Sequence, residues 1–75
     1  MLKLIVSHTE VNHNHTRTET ESFIYNYTDD ARTAYSIAVN HTIEWRQSAS
    51  IYSTVFGFVQ LLDCETDEVM ADYTF

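Results

Sequence analysis

Histidine and cysteine are the side chains of this sequence best suited to binding a transition metal. His13 and His15 stand two residues apart, so on an extended chain they share one face. His8, His41 and Cys64 have no such close companion. A structural zinc site uses four ligands, generally as two closely spaced pairs. With one pair only, we expect a polar loop that carries two histidines, and a zinc-dependent enzyme or sensor is the less favoured alternative.

The residues that could act as nucleophiles stand in unfavourable surroundings. Cys64 lies between Asp63 and Glu65, whose negative charges disfavour a thiolate. The single glycine of the chain cannot build a Gly-x-Ser-x-Gly elbow or a phosphate-binding loop. We therefore predict a protein without catalytic residues, metal or cofactor.

Five segments of regular structure are expected to position the remaining side chains. The pattern predicts strands Leu2–Val11, Thr18–Tyr27, Ile51–Leu62 and Glu68–Phe75, a helix from Thr28 to about Gln47, a polar loop at 12–17 and a turn at 63–67. The order is ββαββ. We expect one compact α+β domain over residues 1–75, in which a single helix packs on one face of an antiparallel four-stranded sheet.

The predicted helix has one apolar stripe and a chemically typical first turn. The stripe consists of Ala31, Ala34, Tyr35, Ala38, Thr42 and Trp45. Thr28 is expected to cap the helix, and Asp29 and Asp30 favour the positive end of its dipole.

The strands differ in how clearly they separate an inner from an outer face. Phe23, Tyr25 and Tyr27 are predicted to share one face of the second strand. In the last strand the corresponding set is Val69, Ala71, Tyr73 and Phe75.

The third strand is apolar on both faces, which is unusual for a sheet covered on one side. One face carries Ile51, Val55, Val59 and Leu61, and the other Tyr52, Phe56, Phe58 and Leu62. Three explanations stay open: a second subunit covers the far face, a partner docks there, or a bulge at Gly57 exchanges the faces. Gly57 could equally mark a close approach of another strand.

Charge and composition exclude several classes of function. Eleven acidic residues against four basic ones give a net charge of -7, which disfavours direct binding of nucleic acid. The single cysteine cannot form an internal disulfide. Neither a signal peptide nor a run of about 20 apolar residues is recognisable, so we expect a cytoplasmic protein that does not bind a membrane.

Acidic and aromatic residues supply the candidate binding surface. We predict that a partner contacts the carboxylates of Glu19, Glu21, Asp63, Glu65, Asp67, Glu68 and Asp72. Alternate strand residues lie about 6.6 Å apart, which is close to the repeat of a phosphate backbone. Tyr52, together with Tyr25 or Tyr27, is expected to provide apolar anchors, because tyrosine is favoured at interfaces.

The overall plan resembles small acidic accessory proteins of bacteriophages, including anti-CRISPR inhibitors. The resemblance lies in size, absence of proline, acidic balance, the helix start at Thr28–Ala34 and the turn at Asp63–Val69. It implies a non-enzymatic protein that binds a basic, nucleic-acid-handling host complex and blocks it. The alternative is a homodimeric assembly protein, paired through its uncovered sheet face or an edge strand, whose charge only confers solubility.

Overall fold

A computed structural model of the chain describes residues 1–49 and 53–75. The elements are β1 (Leu2–Val11), β2 (Thr16–Tyr25), α1 (Thr28–Ser48), β3 (Thr54–Asp63) and β4 (Val69–Thr74). The predicted ββαββ order and the α+β class are confirmed.

The four strands form one antiparallel sheet in the order β2-β1-β3-β4. The two central strands pair along their whole length, from Leu2 opposite Asp63 to Val11 opposite Thr54. β2 and β4 therefore lie at the two edges. Each is joined to its central neighbour by a short connection, whereas the central pair unites segments that are far apart in sequence.

The first hairpin turns earlier than the sequence pattern predicts. The Asn12 N–H donates to the His15 carbonyl at 3.0 Å, and the Asn12 side-chain oxygen accepts from the Asn14 and His15 N–H groups. This asparagine-centred turn closes the loop within four residues. Thr16 and Arg17 are consequently paired with β1 instead of belonging to the loop. The predicted start of the third strand, at Ile51, lies outside the described residues.

The helix matches its predicted length but not its predicted cap. It begins at Thr28, and the N-cap position is Tyr27, with no side-chain capping bond. The prediction that Thr28 caps the helix is therefore wrong, because Thr28 already belongs to the first turn. Asp29 and Asp30 do lie in that turn, where the helix dipole stabilises their charges.

The core lies between α1 and the central strands. Its most buried members are Leu2, Leu4, Ala31, Val59 and Leu61. The small alanines of the helix stripe let α1 approach the sheet closely, and Thr42 is 1% exposed on the same stripe. Ala34, Tyr35 and Ala38 pack around the cluster, as the stripe predicts.

Gly57 marks a close approach between strands and not a bulge. The β1–β3 register runs without a shift through His8 opposite Gly57. A Cβ atom at this position would lie 2.0 Å from the carbonyl oxygen of Ser7. The position therefore admits no side chain. The shift in register occurs instead between β3 and β4, at Leu61 and Leu62.

That shift corrects the predicted inner face of the last strand. Ala71 and Tyr73 pack against the core, but Val69 pairs with Leu62 and is 47% exposed. In β2, Tyr25 packs against the core, whereas Tyr27 lies beyond the end of the strand and is 72% exposed. The predicted inner faces therefore hold for the middle of each strand and fail at one end.

The sheet face opposite α1 carries both apolar and hydroxyl side chains. Because the register is continuous at Gly57, a face exchange there does not explain the apolar side chains. Phe56 and Ile24 are 46% and 54% exposed. Beside them run two cross-strand hydroxyl pairs, Ser7–Thr20 at 3.1 Å and Thr9–Thr18 at 3.0 Å.

Candidate functional site: an acidic groove beside the helix

One helix cannot cover a four-stranded sheet. An α-helix with its side chains is about 10 Å wide, whereas four strands span roughly 19 Å. Here α1 packs mainly on the central strands β3 and β1 and makes fewer contacts with β2. β2 is exposed from Thr16 to Ile24, so a groove runs between its inner face and the helix.

The end of the groove near the hairpin loop is polar. This polar cleft has a volume of about 710 Å³. Its walls are His8 and Glu10 from β1, Arg17 and Glu19 from β2, and His41, Glu44, Trp45 and Ser48 from α1. Three carboxylates and one guanidinium thus line a space large enough for the side chains of a bound peptide.

The other end of the groove is apolar. This apolar cleft of about 380 Å³ is lined by Leu4, Val6, His8, Glu21, Phe23, Ala34, Ile37, Ala38 and His41. Phe23 and Ile37 form its opposite rims and are 44% and 51% exposed. The groove therefore changes from charged to apolar along β2, with His8 and His41 shared by both ends.

His8 lies between the polar and the apolar end of the groove and contacts the helix. Its Nε2 lies 3.1 Å from the hydroxyl oxygen of buried Thr42, and its ring lies 4.8 Å from that of Trp45. Its ring edge also meets Phe75, at 5.8 Å between centroids. Gly57 stands directly opposite on β3, which leaves room for the imidazole above the sheet. The helix is thus pinned to β1 at the base of the groove.

Two carboxylates of the polar cleft lie beside basic side chains near the protein surface. Arg17 and Glu19 form an ion pair along β2, and their side chains are 69% and 55% exposed. Glu10 lies 3.5 Å from the imidazole of His15. The solvent-exposed Arg17–Glu19 pair contributes little to stability, since water screens it. The carboxylates are therefore available to a cation brought by a partner.

The predicted binding residues fall on separate surfaces. Glu19 and Glu21 line the groove, whereas the 63–68 turn lies at the opposite end of the sheet, since Asp63 pairs with Leu2. From His8 to Leu2 is about 20 Å along an extended strand. The structure thus separates the expected acidic surface into two patches.

The acidic turn has a defined internal structure. The carboxylate of Asp63 accepts from the Glu65 N–H at 2.8 Å, and the Asp67 N–H donates to the Asp63 carbonyl at 2.8 Å. Asp67 adopts the left-handed region, which aspartate tolerates. Glu65 and Glu68 are exposed.

The remaining predicted contacts lie away from both acidic patches. Asp72 is in β4, opposite Gln60, at the other edge of the sheet from β2 and the groove. The pKa of Tyr35 is raised, first by burial of its phenol and then by the nearby Asp72 carboxylate. Of the tyrosines, Tyr27 is exposed, Tyr25 packs against the core, and Tyr52 lies outside the described residues.

The candidate metal ligands do not converge. Within residues 1–49 and 53–75, no three His, Cys, Asp or Glu side chains are placed to hold one metal ion. Asn12 Nδ2 lies 3.4 Å from His15 Nε2 in the hairpin loop, and Cys64 is an exposed thiol.

Sequence reasoning missed half of the groove. Glu44 lies outside the predicted apolar stripe of the helix, Trp45 lies on that stripe, and Glu10 is near the end of β1. The signal that could place Glu10 is the hairpin register, which sets it opposite Arg17. The contribution of Glu44 depends on how far α1 stands from β2, which no local pattern encodes.

The function of this protein is inferred from the groove, because comparisons with known proteins identify no relative. No family model, curated protein or solved structure matches this chain. In the described part of the chain, no helix combines the length and apolar character required to cross a bilayer.

Proposed function

We propose that this protein is a non-enzymatic binding protein that docks its acidic groove on a basic surface of a larger partner. The observation that carries this proposal is the set of carboxylates along the groove, Glu10, Glu19, Glu21 and Glu44, against the single cation of Arg17. The partner class we favour is a nucleic-acid-handling host complex, which this protein blocks in the cytoplasm as an anti-CRISPR-like inhibitor.

The physical basis of docking differs between the two acidic patches. In the groove, a bound cation would be partly shielded from water by the helix and β2, so each ion pair becomes stronger than on an open surface. The 63–68 turn lies outside the groove and projects into solvent. Its charges, with the net charge of -7, would chiefly accelerate encounter with a basic partner.

The experiment is an affinity capture from the native host, followed by identification of the retained proteins and a binding measurement with each purified candidate. We expect a basic, nucleic-acid-binding partner whose nucleic acid is displaced by this protein. Glu19→Lys with Glu21→Lys should weaken binding by about tenfold or more, because two favourable charge contacts become repulsive. Raising the salt concentration should weaken the wild-type complex.

The matched control is Glu65→Lys with Glu68→Lys, which changes the net charge equally at the remote turn. We expect this variant to slow association while leaving dissociation nearly unchanged. Binding that is insensitive to salt and to both double substitutions would contradict the proposal.

The apolar residues opposite the helix favour a second candidate function, that of a homodimeric assembly protein. Ile24 and Phe56 are large side chains exposed on that face. Light scattering at micromolar concentration measures whether the protein is a monomer or a dimer. A monomer excludes the assembly function, whereas a dimer that Phe56→Ser dissociates would support it.

A further inference from the structure

β2 is an edge strand, and within residues 1–49 and 53–75 no other strand pairs with its outer side. In an antiparallel ladder, only alternate residues direct their N–H and C=O toward a given neighbour. The bond from the Asn12 N–H to the His15 carbonyl fixes this alternation, so residues 15, 17, 19 and 21 face β1. Thr16, Thr18, Thr20, Ser22 and Ile24 therefore point their main-chain groups outward.

Nothing in the geometry of β2 protects this edge. Natural edges are usually shortened, bulged or interrupted by proline. β2 pairs with β1 from Thr16 to Tyr25 without a shift, and the chain contains no proline. By contrast β4, the other edge, spans only Val69–Thr74 and adjoins a register shift.

The side chains of β2 disfavour pairing with a second copy of the same strand. A two-fold register centred on Thr20 or Glu21 would set glutamate against glutamate on the groove face. The register centred on Glu19 pairs Arg17 with Glu21 but sets the two copies of Glu19 against each other at its centre. A register centred on Ser22 would set both glutamates against aromatic rings. The register centred on Thr18 pairs Arg17 with Glu19, but it overlaps only half of the strand. The free edge thus fits a different sequence better than its own.

The complementary sequence follows from the groove face. A strand added to β2 places its own inward side chains directly opposite Arg17, Glu19, Glu21 and Phe23. Opposite charges stabilise such cross-strand pairs, and an apolar side chain opposite Phe23 enters the apolar cleft beside Ile37. The outward side chains would join the row of threonine hydroxyls on the far face.

We propose that the partner inserts an extended segment antiparallel to β2, as a fifth strand that forms the outer wall of the groove. Read from its N-terminus, this segment carries an apolar residue, a basic residue, a second basic residue and an acidic residue at alternate positions. The proposal rests on the proposed function, because it assigns the contact that the acidic groove makes with a basic partner.

The direct test uses the labelled peptide Ac-Thr-Leu-Thr-Lys-Thr-Lys-Thr-Glu-amide and fluorescence anisotropy. We expect saturable binding that weakens about tenfold in Glu19→Gln with Glu21→Gln, since two cross-strand ion pairs are lost. Glu65→Gln with Glu68→Gln, which removes the same charge at the remote turn, should change the affinity less than about twofold. Absence of peptide binding, or equal losses in the two variants, would overturn the inference.

A backbone measurement separates strand addition from charge attraction. On peptide binding, the amide protons of Thr18, Thr20, Ser22 and Ile24 should become protected from exchange, while those between them change little. A peptide N-methylated at its threonines should lose binding, whereas one N-methylated at its lysines should retain it. Uniform protection along β2, or equal binding by the two methylated peptides, would contradict strand addition.

The failure of this inference is distinguishable from failure of the proposed function. If the peptide does not bind but a basic host partner is still captured in a salt-dependent way, only the fifth strand is wrong. If light scattering shows a dimer that Glu19→Arg dissociates, a second copy occupies the edge and the inference is overturned.

Discussion

The two halves of the sheet differ sharply, although the same helix borders both. On the β3 side, Val59 and Leu61 are 0% and 1% exposed beneath α1. On the β2 side, Phe23 is 44% exposed, and its strand is open along nearly its whole length. The β3 side, here called the closed half, supplies stability, and the β2 side, here called the open half, supplies accessible surface. A small domain with one helix obtains both because that helix packs on the central strands and leaves β2 exposed.

The largest loss of stability is expected at Gly57, where the closed half has no space for an added side chain. Gly57→Ala would place a methyl group 2.0 Å from the Ser7 carbonyl oxygen, so the β1–β3 pairing must separate. We expect a loss of at least about 3 kcal/mol in the free energy of unfolding. Thr20→Ala, on the open half, should cost less than about 1 kcal/mol. Urea unfolding measures both, and similar values would contradict the contrast.

Truncation of one apolar side chain in each half compares their packing directly. Leu61→Ala removes a fully buried side chain and should cost about 3 kcal/mol. Phe23→Ala removes a half-exposed ring and should cost about 1 kcal/mol or less, despite the greater volume removed. If Phe23→Ala proves the more destabilising in thermal and urea unfolding, the groove is closed in solution.

The boundary between the halves depends on the contact of His8 with the helix. Thr42→Val keeps the shape of a buried side chain but removes the hydroxyl that pairs with His8 Nε2. We expect a loss of about 1 kcal/mol in the free energy of unfolding and a change in the NMR signals of His8 and Trp45. The control is Thr33→Val, on the exposed side of α1, which should have neither effect.

The smallest effect concerns the rim of the closed half at alkaline pH. Burial, and then the Asp72 carboxylate, raise the pKa of Tyr35 above its usual value near 10. The native state therefore holds the phenolic proton more tightly than the unfolded chain does. Stability is unaffected below the unfolded-state pKa and falls as the pH rises past it. Unfolding titrations between about pH 8 and pH 11 should show this loss, and Tyr35→Phe should reduce it.

The sequence predicts the elements well because their signals are local. The stripe of α1 depends on residues that are close together in sequence, and that prediction is confirmed for Ala31, Ala34 and Ala38. The start of β2 was misplaced because a single asparagine tightens the loop. The face of Val69 was wrong because a register shift depends on pairing between two strands.

The candidate site is only partly predictable for the same reason. Glu19 and Glu21 are recognisable as neighbours on one strand face. Their companions Glu10 and Glu44 come from other elements, and the strand order and the packing of α1 on the sheet bring them together. Those features result from packing of the whole chain.

The order of the strands also governs how the chain reaches this shape. Each hairpin joins neighbouring segments and can form within microseconds. The β1–β3 ladder instead matches Leu2 with Asp63, across most of the length of the polypeptide. The entropy lost in bringing such distant partners together slows this step relative to hairpin formation. We therefore expect a kinetic barrier at the junction of the hairpins, with the cooperativity of the domain arising as that junction closes.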